Sequence, residues 1–190
     1  MNQYFTSDTH FSHQNIILYT HRPYSSVKEM NEAMIENWNK VVKPEDDIYH
    51  TGDFAFCPPE DACRILKSLN GHKYLIEGNH DRKNLRDRNF RDCFEWIDKL
   101  AGIEIHKQNI VLCHYAMRVW DQSHRNSWCL FGHSHNSLPD DPTSLSMDIG
   151  VDANNFTPIS FDQIKEIMHK KMNSDVFKNK TVGLKNGRKQ

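Results

Sequence analysis

The chain has 190 residues, 37% of them hydrophobic and 26% charged, with a formal net charge of −1. That length suits one domain with a sizeable core rather than two. The near-zero charge gives no overall field toward nucleic acid or an anionic membrane. No apolar run is long enough to span a bilayer. The first residues enter a strand-like segment rather than a basic region and an apolar core, so the expected location is cytoplasmic, with no membrane partner. Five cysteines (Cys57, Cys63, Cys93, Cys113 and Cys129) lack CxxC spacing and are odd in number, which points to reduced thiols without a disulfide framework. The compositional oddity is twelve histidines.

In chain order, Tyr4 and Phe5 mark a first buried strand over 2–7 that ends at Asp8-Thr9-His10. Residues 11–24 read as loop or short helix, where His13, His21 and Arg22 are expected to be exposed or to wall the first cluster. Ser25-Ser26 offers a helix N-cap. Val27, Met30, Met34, Trp38 and Val41 then recur at three- and four-residue spacing, the apolar stripe of an amphipathic helix. A second strand over 48–51 runs into Gly52-Asp53. Pro58-Pro59 opens a helix whose buried face is Ala62, Ile65, Leu66 and Leu69. Asn70-Gly71 stops it, and a third strand over 72–77 leads into Gly78-Asn79-His80-Asp81. This βαβα alternation argues for an α/β layered fold.

Residues 82–91 read as one charged, solvated helix face, with Arg82 close to the preceding cluster. From Trp96 onward, strands over 103–105, 110–113, 128–131 and 145–151 are expected to form a second sheet packed on the first. Phe161, Ile164, Ile167 and Met168 mark a last helix. The domain is expected over 1–172, with 173–190 a basic, loosely ordered tail carrying Lys178, Lys180, Lys185, Arg188 and Lys189.

The polar clusters fall at or just after strand ends, where open α/β sheets build their sites. Collected, they give Asp8, His10, Asp53, Asn79, His114, His133 and His135. An isolated histidine at a strand end is ordinary. Five such placements beside Gly, Asp or Asn are not, because no strand gains stability from ending in imidazole. Two carboxylates, one amide and four imidazoles exceed the needs of one zinc and suit a pair of divalent transition-metal ions. Mixed nitrogen and oxygen donors favour manganese, iron, zinc or nickel over magnesium or calcium alone. His133 and His135 can face one site only if their strand has already ended in a turn. His80 is placed to donate a proton, with Asp81 expected to orient its ring.

The order Asp-x-His, Gly-Asp, Gly-Asn-His-Asp, a lone His and Gly-His-x-His, from Asp8 to His135, resembles the calcineurin-like metallophosphoesterase superfamily. The stretch from His114 to Ser134 further resembles its small single-domain bacterial and phage members. The resemblance implies a four-layer α/β/β/α sandwich of two mixed sheets flanked by helices. It implies one metal, manganese foremost, held by Asp8, His10, Asp53 and His135. A second would be held by Asp53, Asn79, His114 and His133, with Asp53 bridging. It further implies attack on phosphorus by a metal-bridging hydroxide, with His80 as general acid and Asp81 as its partner. Phe54-Ala55-Phe56 replaces the Asp-Arg-Gly continuation of serine/threonine protein phosphatases, which places that activity low. Ala116 stands where the small group commonly has proline.

Arg118 and Trp120, on a loop between two ligand motifs, are expected to clamp a phosphate and stack on a base. Arg82 is a third candidate for substrate contact. Trp128 is expected in the core, and His50, His72, His106 and His169 in structural or surface roles. The expected activity is hydrolysis of a phosphodiester, or a phosphomonoester, in a small nucleotide-type substrate. A metal-dependent nuclease on DNA or RNA is the first rival, favoured by the basic tail and opposed by the net charge. A non-catalytic interaction protein on the same scaffold is the second, opposed by the full ligand set and by His80-Asp81.

Overall fold

The computed structural model describes residues 1–179. Four parallel strands, β1 (Gln3–Thr6), β2 (Asp47–His50), β3 (His72–Ile76) and β4 (Trp96–Asp98), build the first sheet. A short antiparallel strand, β9 (Ile159–Ser160), completes it beside β1. The second sheet runs in the order β5 (Leu100–Ile105), β6 (Gln108–Cys113), β7 (Trp128–Phe131), β8 (Ser146–Asp148). There β5 is antiparallel to β6 while β6, β7 and β8 are parallel, so both sheets are mixed.

The helices are α1 (Ile16–Tyr19), α2 (Val27–Val41), α3 (Pro59–Ser68), α4 (Arg88–Arg91) and α5 (Phe161–Asn173). Their starts follow from local chemistry. The Ser26 side chain accepts the Glu29 N–H to cap α2, and α3 begins with proline in its first turn. A capping box between Ser160 and Gln163 opens α5.

Strand alternation then divides the core in two. Ile48 and Leu75 face Met30, Met34 and Trp38 of α2 and Ala62 and Leu66 of α3. Phe5 and Ile76 face the other way, onto Ile110, Leu112, Trp128 and Leu130 of the second sheet and Ile164 and Met168 of α5. The result is two mixed sheets flanked by helices. Across the inner face of the first sheet runs a ladder of rings: Phe5–Tyr49 at 5.3 Å, Tyr49–Tyr74 at 4.8 Å and Tyr74–Trp96 at 5.3 Å between centroids. Each pair is a directly opposed cross-strand pair, so the rings fix the register of all four parallel strands.

Two expectations change. The charged segment 82–91 is two short turns, a 3-10 helix over Asn84–Arg86 and then α4, because Asn84 and Phe90 are buried and anchor it. Trp96–Asp98 extends the first sheet rather than opening the second, since Trp96 completes the ring ladder. Within 173–179, the Lys178 N–H donates to the Ser174 carbonyl at 3.1 Å and Phe177 packs on the inner core. The remainder of the expected tail, 180–190, lies outside the described residues. All five cysteines are free. Among the described residues no helix is long and apolar enough to cross a membrane.

The ladder gives a stability prediction. Tyr49→Ala should cost about 3–5 kcal/mol in urea unfolding. Tyr49→Leu, which keeps apolar bulk but loses two ring pairs, should cost about 1–2 kcal/mol. A leucine variant as stable as the parent would show that the rings add nothing beyond burial.

Candidate metal centre

The strand ends of both sheets meet at one place, and the backbone there is unusual. Asp8, His10, Asp53, His133 and His135 all have positive φ, between 46° and 67°. Side chains with a Cβ avoid this left-handed region at a cost of roughly 1–2 kcal/mol each, so surrounding structure must hold them there. The turn after Phe131 is what lets His133 and His135, two residues apart, join one cluster.

Hydrogen bonds supply that hold. The Asp8 N–H donates to the Gly52 carbonyl at 2.9 Å, and the His10 N–H to the Asp53 carbonyl at 3.0 Å. Asp81 is fully buried and both its oxygens are occupied by backbone. Its Oδ2 accepts the Asp53 and Gly78 N–H groups at 2.8 and 2.9 Å, and its Oδ1 accepts the Phe54 N–H at 2.9 Å. The expectation that Asp81 orients the His80 ring is therefore corrected: its carboxylate clamps the turn after β3 to the turn after β2. Two glycines permit this closeness. A Cβ on Gly78 would lie 2.2 Å from Asp53 Oδ1, and one on Gly132 would lie 2.3 Å from Asp8 Oδ2.

The polar atoms converge on Asp53. Its Oδ2 lies 3.5 Å from His114 Nε2, 3.6 Å from His10 Nε2 and 4.0 Å from His80 Nε2. Its Oδ1 accepts the His80 backbone N–H at 2.8 Å. Two trios with metal-binding potential result, Asp8-His10-His135 and Asp53-His114-His133, the ligand-type atoms in each lying within 4.8 Å of one another. Asn79 joins the second trio, its Oδ1 lying 3.0 Å from His114 Nε2. The seven residues collected from the sequence thus stand together.

Residues 1–146 match the family model for the calcineurin-like phosphoesterase superfamily domain. The chain belongs to the calcineurin-like phosphoesterase superfamily. It is 33% identical over 174 residues to the uncharacterized protein MJ1445 of Methanocaldococcus jannaschii, covering 88% of this chain and 91% of that one. Among solved structures it is similar to the protein of unknown function AQ665 from Aquifex aeolicus, with a TM-score of 0.66 and 28% identity over 87% of this chain and 98% of that one. A more distant likeness, at a TM-score of 0.47 and 20% identity, is to a novel archaeal phosphodiesterase, over 79% of this chain and 82% of that one.

Within this superfamily member the histidines are held as ligands need to be. The His114 Nδ1–H donates to the Thr51 carbonyl at 2.7 Å, and the His135 Nδ1–H to Asp152 Oδ2 at 2.7 Å. With Nδ1 so engaged, each has its Nε2 as the ring nitrogen remaining for a metal. Asp152 also takes the Arg22 Nε–H and Nη2–H at 2.9 Å each. Arg22 in turn donates to the carbonyls of Asp8 and Thr9 at 2.8 and 2.9 Å. Arg22, expected as an exposed loop or wall residue, is buried and braces the centre from behind. Asp152 escaped the sequence reading, although Ile149-Gly150-Val151-Asp152 repeats the pattern of apolar residue, glycine and nearby carboxylate.

Electrostatics and satisfaction of polar atoms both fit a cation. Burial pushes the Asp53 carboxyl up, but His114 and His10 and the His80 N–H outweigh it and hold it at about 2. Burial pushes His114 down, but Asp53, Asp8 and the Thr51 carbonyl carry it up to about 9. In the protein alone, an imidazolium supplies the positive charge the carboxylates demand. Asp8 Oδ1 and His10 Nε2, both buried, have no hydrogen-bond partner. Orphans of this kind cost about 1–3 kcal/mol each, and a bound cation would satisfy both.

The substrate candidates fare differently. Arg82, largely exposed, lines a cavity of about 300 Å³ beside Asn79 and His114, together with Lys99, Tyr115 and Met117. Arg118 is exposed and outside that lining. Trp120, expected to stack on a base, is turned inward: its Nε1–H donates to the Ser127 carbonyl at 3.1 Å and its ring packs on Cys113, Cys129 and Phe131. Trp128 is in the core as expected.

Two predictions follow from the supports. Asp81→Asn puts an amide donor against backbone N–H groups and should cost about 2–4 kcal/mol in thermal or urea unfolding. His80→Ala, at a half-exposed side chain, should cost far less, and equal losses would contradict the clamp. Asp152→Asn should weaken Mn²⁺ binding, measured by calorimetry, by about 10–100-fold. Unchanged affinity would mean that Asp152 serves Arg22 alone.

Proposed function

We propose that this chain is a phosphodiesterase dependent on two divalent transition-metal ions, manganese foremost, acting on a small nucleotide-type phosphoester. The observation that carries the reading is the position of Asp53 Oδ2 between His10 Nε2 and His114 Nε2, at 3.6 and 3.5 Å. A carboxylate oxygen flanked by two imidazole nitrogens, each backed by its own trio, would suit two ions sharing that carboxylate. Asp8, His10, Asp53 and His135 would hold one ion, and Asp53, Asn79, His114 and His133 the other. Bound there, the pair supplies Lewis-acid stabilisation of the phosphoryl charge and lowers the pKa of a coordinated water.

The remaining steps belong to the chain's own residues. His80 has its backbone N–H pinned on Asp53 Oδ1 while its ring, 41% exposed, stands with Nε2 at 4.0 Å from Asp53 Oδ2. It is free to reach a departing oxygen and hand it a proton, which matters most for a poor leaving group such as an alkoxide. Arg82 and Lys99 on the cavity wall supply cationic groups for the non-bridging phosphate oxygens or a second phosphate. The Asp81 clamp and the Asp152–Arg22 brace keep the ligands in place without touching substrate.

Hydrolysis of bis-p-nitrophenyl phosphate and p-nitrophenyl phosphate with Mn²⁺, Ni²⁺, Zn²⁺ or Mg²⁺ tests this reading. The expected result is metal-dependent diester cleavage. His80→Ala should lower kcat by about 10²–10⁴-fold with metal stoichiometry kept. Asp53→Asn should lose both metal binding and activity. A wild type that binds two ions yet cleaves neither ester would sink the proposal. Activity confined to DNA or RNA, with a steep fall in affinity as salt rises, would replace it with a nuclease.

A further inference from the structure

Beside the centre stands an exposed apolar surface. Phe56 lies two residues after the fully buried Phe54, yet its side chain is 52% exposed. Its backbone is fixed, because the Phe56 N–H donates to the Phe11 carbonyl at 2.8 Å and Phe11 bridges Ala55. The His13 ring stacks on it with centroids 4.3 Å apart and planes 21° from parallel. His13 is tied to the centre as well, its Nδ1 lying 3.3 Å from His10 Nδ1. Tyr19 approaches the His13 ring edge-on at 6.3 Å and is 69% exposed, with Leu18 beside it at 71%. Single exposed apolar side chains are normal, but a contiguous group rimming a polar site marks a binding surface.

The position of this group relative to His80 says what it would bind. The Phe56 and His80 rings are 5.6 Å apart and those of His13 and His80 are 6.4 Å apart. With His80 as the general acid, the group that hangs from the leaving oxygen comes within reach of these rings. Flat, preordered rings match a flat ring. They form no groove for an acyl chain, and their ordering in advance removes an entropic cost of stacking. Phe56 and His13 are outside the lining of the cavity by His114, where Arg82, facing Glu77 at 3.9 Å, and Lys99 would meet the retained part of the substrate.

We infer that Phe56, backed by His13, is a stacking shelf for the planar base of the leaving nucleoside, making Phe56 the residue that selects nucleoside-bearing esters. That the leaving group reaches these rings rests on the reading of His80 as general acid. The shelf itself rests on the exposed, fixed ring.

Calorimetric titration of the Mn²⁺-loaded protein with adenosine 5′-monophosphate and with ribose 5-phosphate isolates the base. The wild type should bind the nucleotide about tenfold more tightly. Phe56→Leu, which keeps apolar bulk, and Phe56→Ala should bring the ratio close to one, while Phe56→Tyr should preserve it. Thermal unfolding of each variant checks that the fold survives. A wild type that binds the two phosphates equally, or binds neither, overturns the inference, as does a leucine variant with the ratio intact. A nucleotide preference lost in Phe56→Leu, in a protein that hydrolyses no ester, would keep the shelf and sink the hydrolase reading. Ester hydrolysis with no nucleotide preference would do the reverse.

Discussion

The interaction on which the centre depends is the buried Asp81 carboxylate and the three backbone N–H groups it accepts, from Asp53, Phe54 and Gly78. Parallel strands diverge once their ladder ends, and nothing in the pairing of β2 with β3 obliges the following turns to stay in contact. Asp81 supplies that obligation. A single anion satisfies donors from both turns in a buried site, where charge-assisted hydrogen bonds are strong and their loss is costly. Burial and the neighbouring Asp53 charge push the Asp81 carboxyl upward, and the N–H groups pull it back. With the turns locked, Asp53 and Asn79 face the same point from different strands, and Gly78 is the residue thin enough to let them.

The second sheet is brought to that point by the same kind of device. The His133 N–H donates to Asp8 Oδ2 at 2.8 Å, and the Gly132 N–H to the His114 carbonyl at 3.0 Å. The Val151 N–H reaches the Ser7 carbonyl at 3.0 Å, which sets Asp152 behind His135. Asp8, Asp53 and His114 each have one side-chain atom tied to backbone, and His135 has one held by Asp152. The arrangement is costly in the protein alone: five left-handed residues, buried carboxylates and two orphaned polar atoms. The ring ladder and two apolar cores make it tolerable, because the strands cannot shift register to relieve it.

Much of this was legible in the sequence, and the boundary has a physical basis. The helices over 27–41 and 59–68 follow from apolar spacing, Ser26 and Pro59, all local signals. The seven polar residues at strand ends stand out because packing gives no reason for them. Roles set by distant partners were hidden. Asp81 reads as the neighbour of His80, yet two of its three partners, Asp53 and Phe54, lie 28 and 27 residues away. Arg22 and Asp152 are 130 residues apart, and neither sits in a motif. Trp120 carries the same side chain whether it faces solvent or Ser127, and only the packing of Cys113, Cys129 and Phe131 decides between them.

The division between buried and exposed groups bears on what in this centre can vary. Asp8, His10, Asp53, Asp81 and His114 are each at most 2% exposed and interlocked, so a change at one disturbs the rest. His80, Phe56, Arg82 and Tyr115 stand at the surface, touching that lattice at its edge, as Tyr115 does where its Oη donates to Asn79 Oδ1 at 3.4 Å. Under the proposed function, the interior would set the chemistry at phosphorus and the rim would select the molecule that brings it. Phe56 sits on that boundary: its backbone belongs to the rigid turn after Asp53 and its ring belongs to solvent. A ring placed so can distinguish substrates without strain reaching the carboxylate three residues before it.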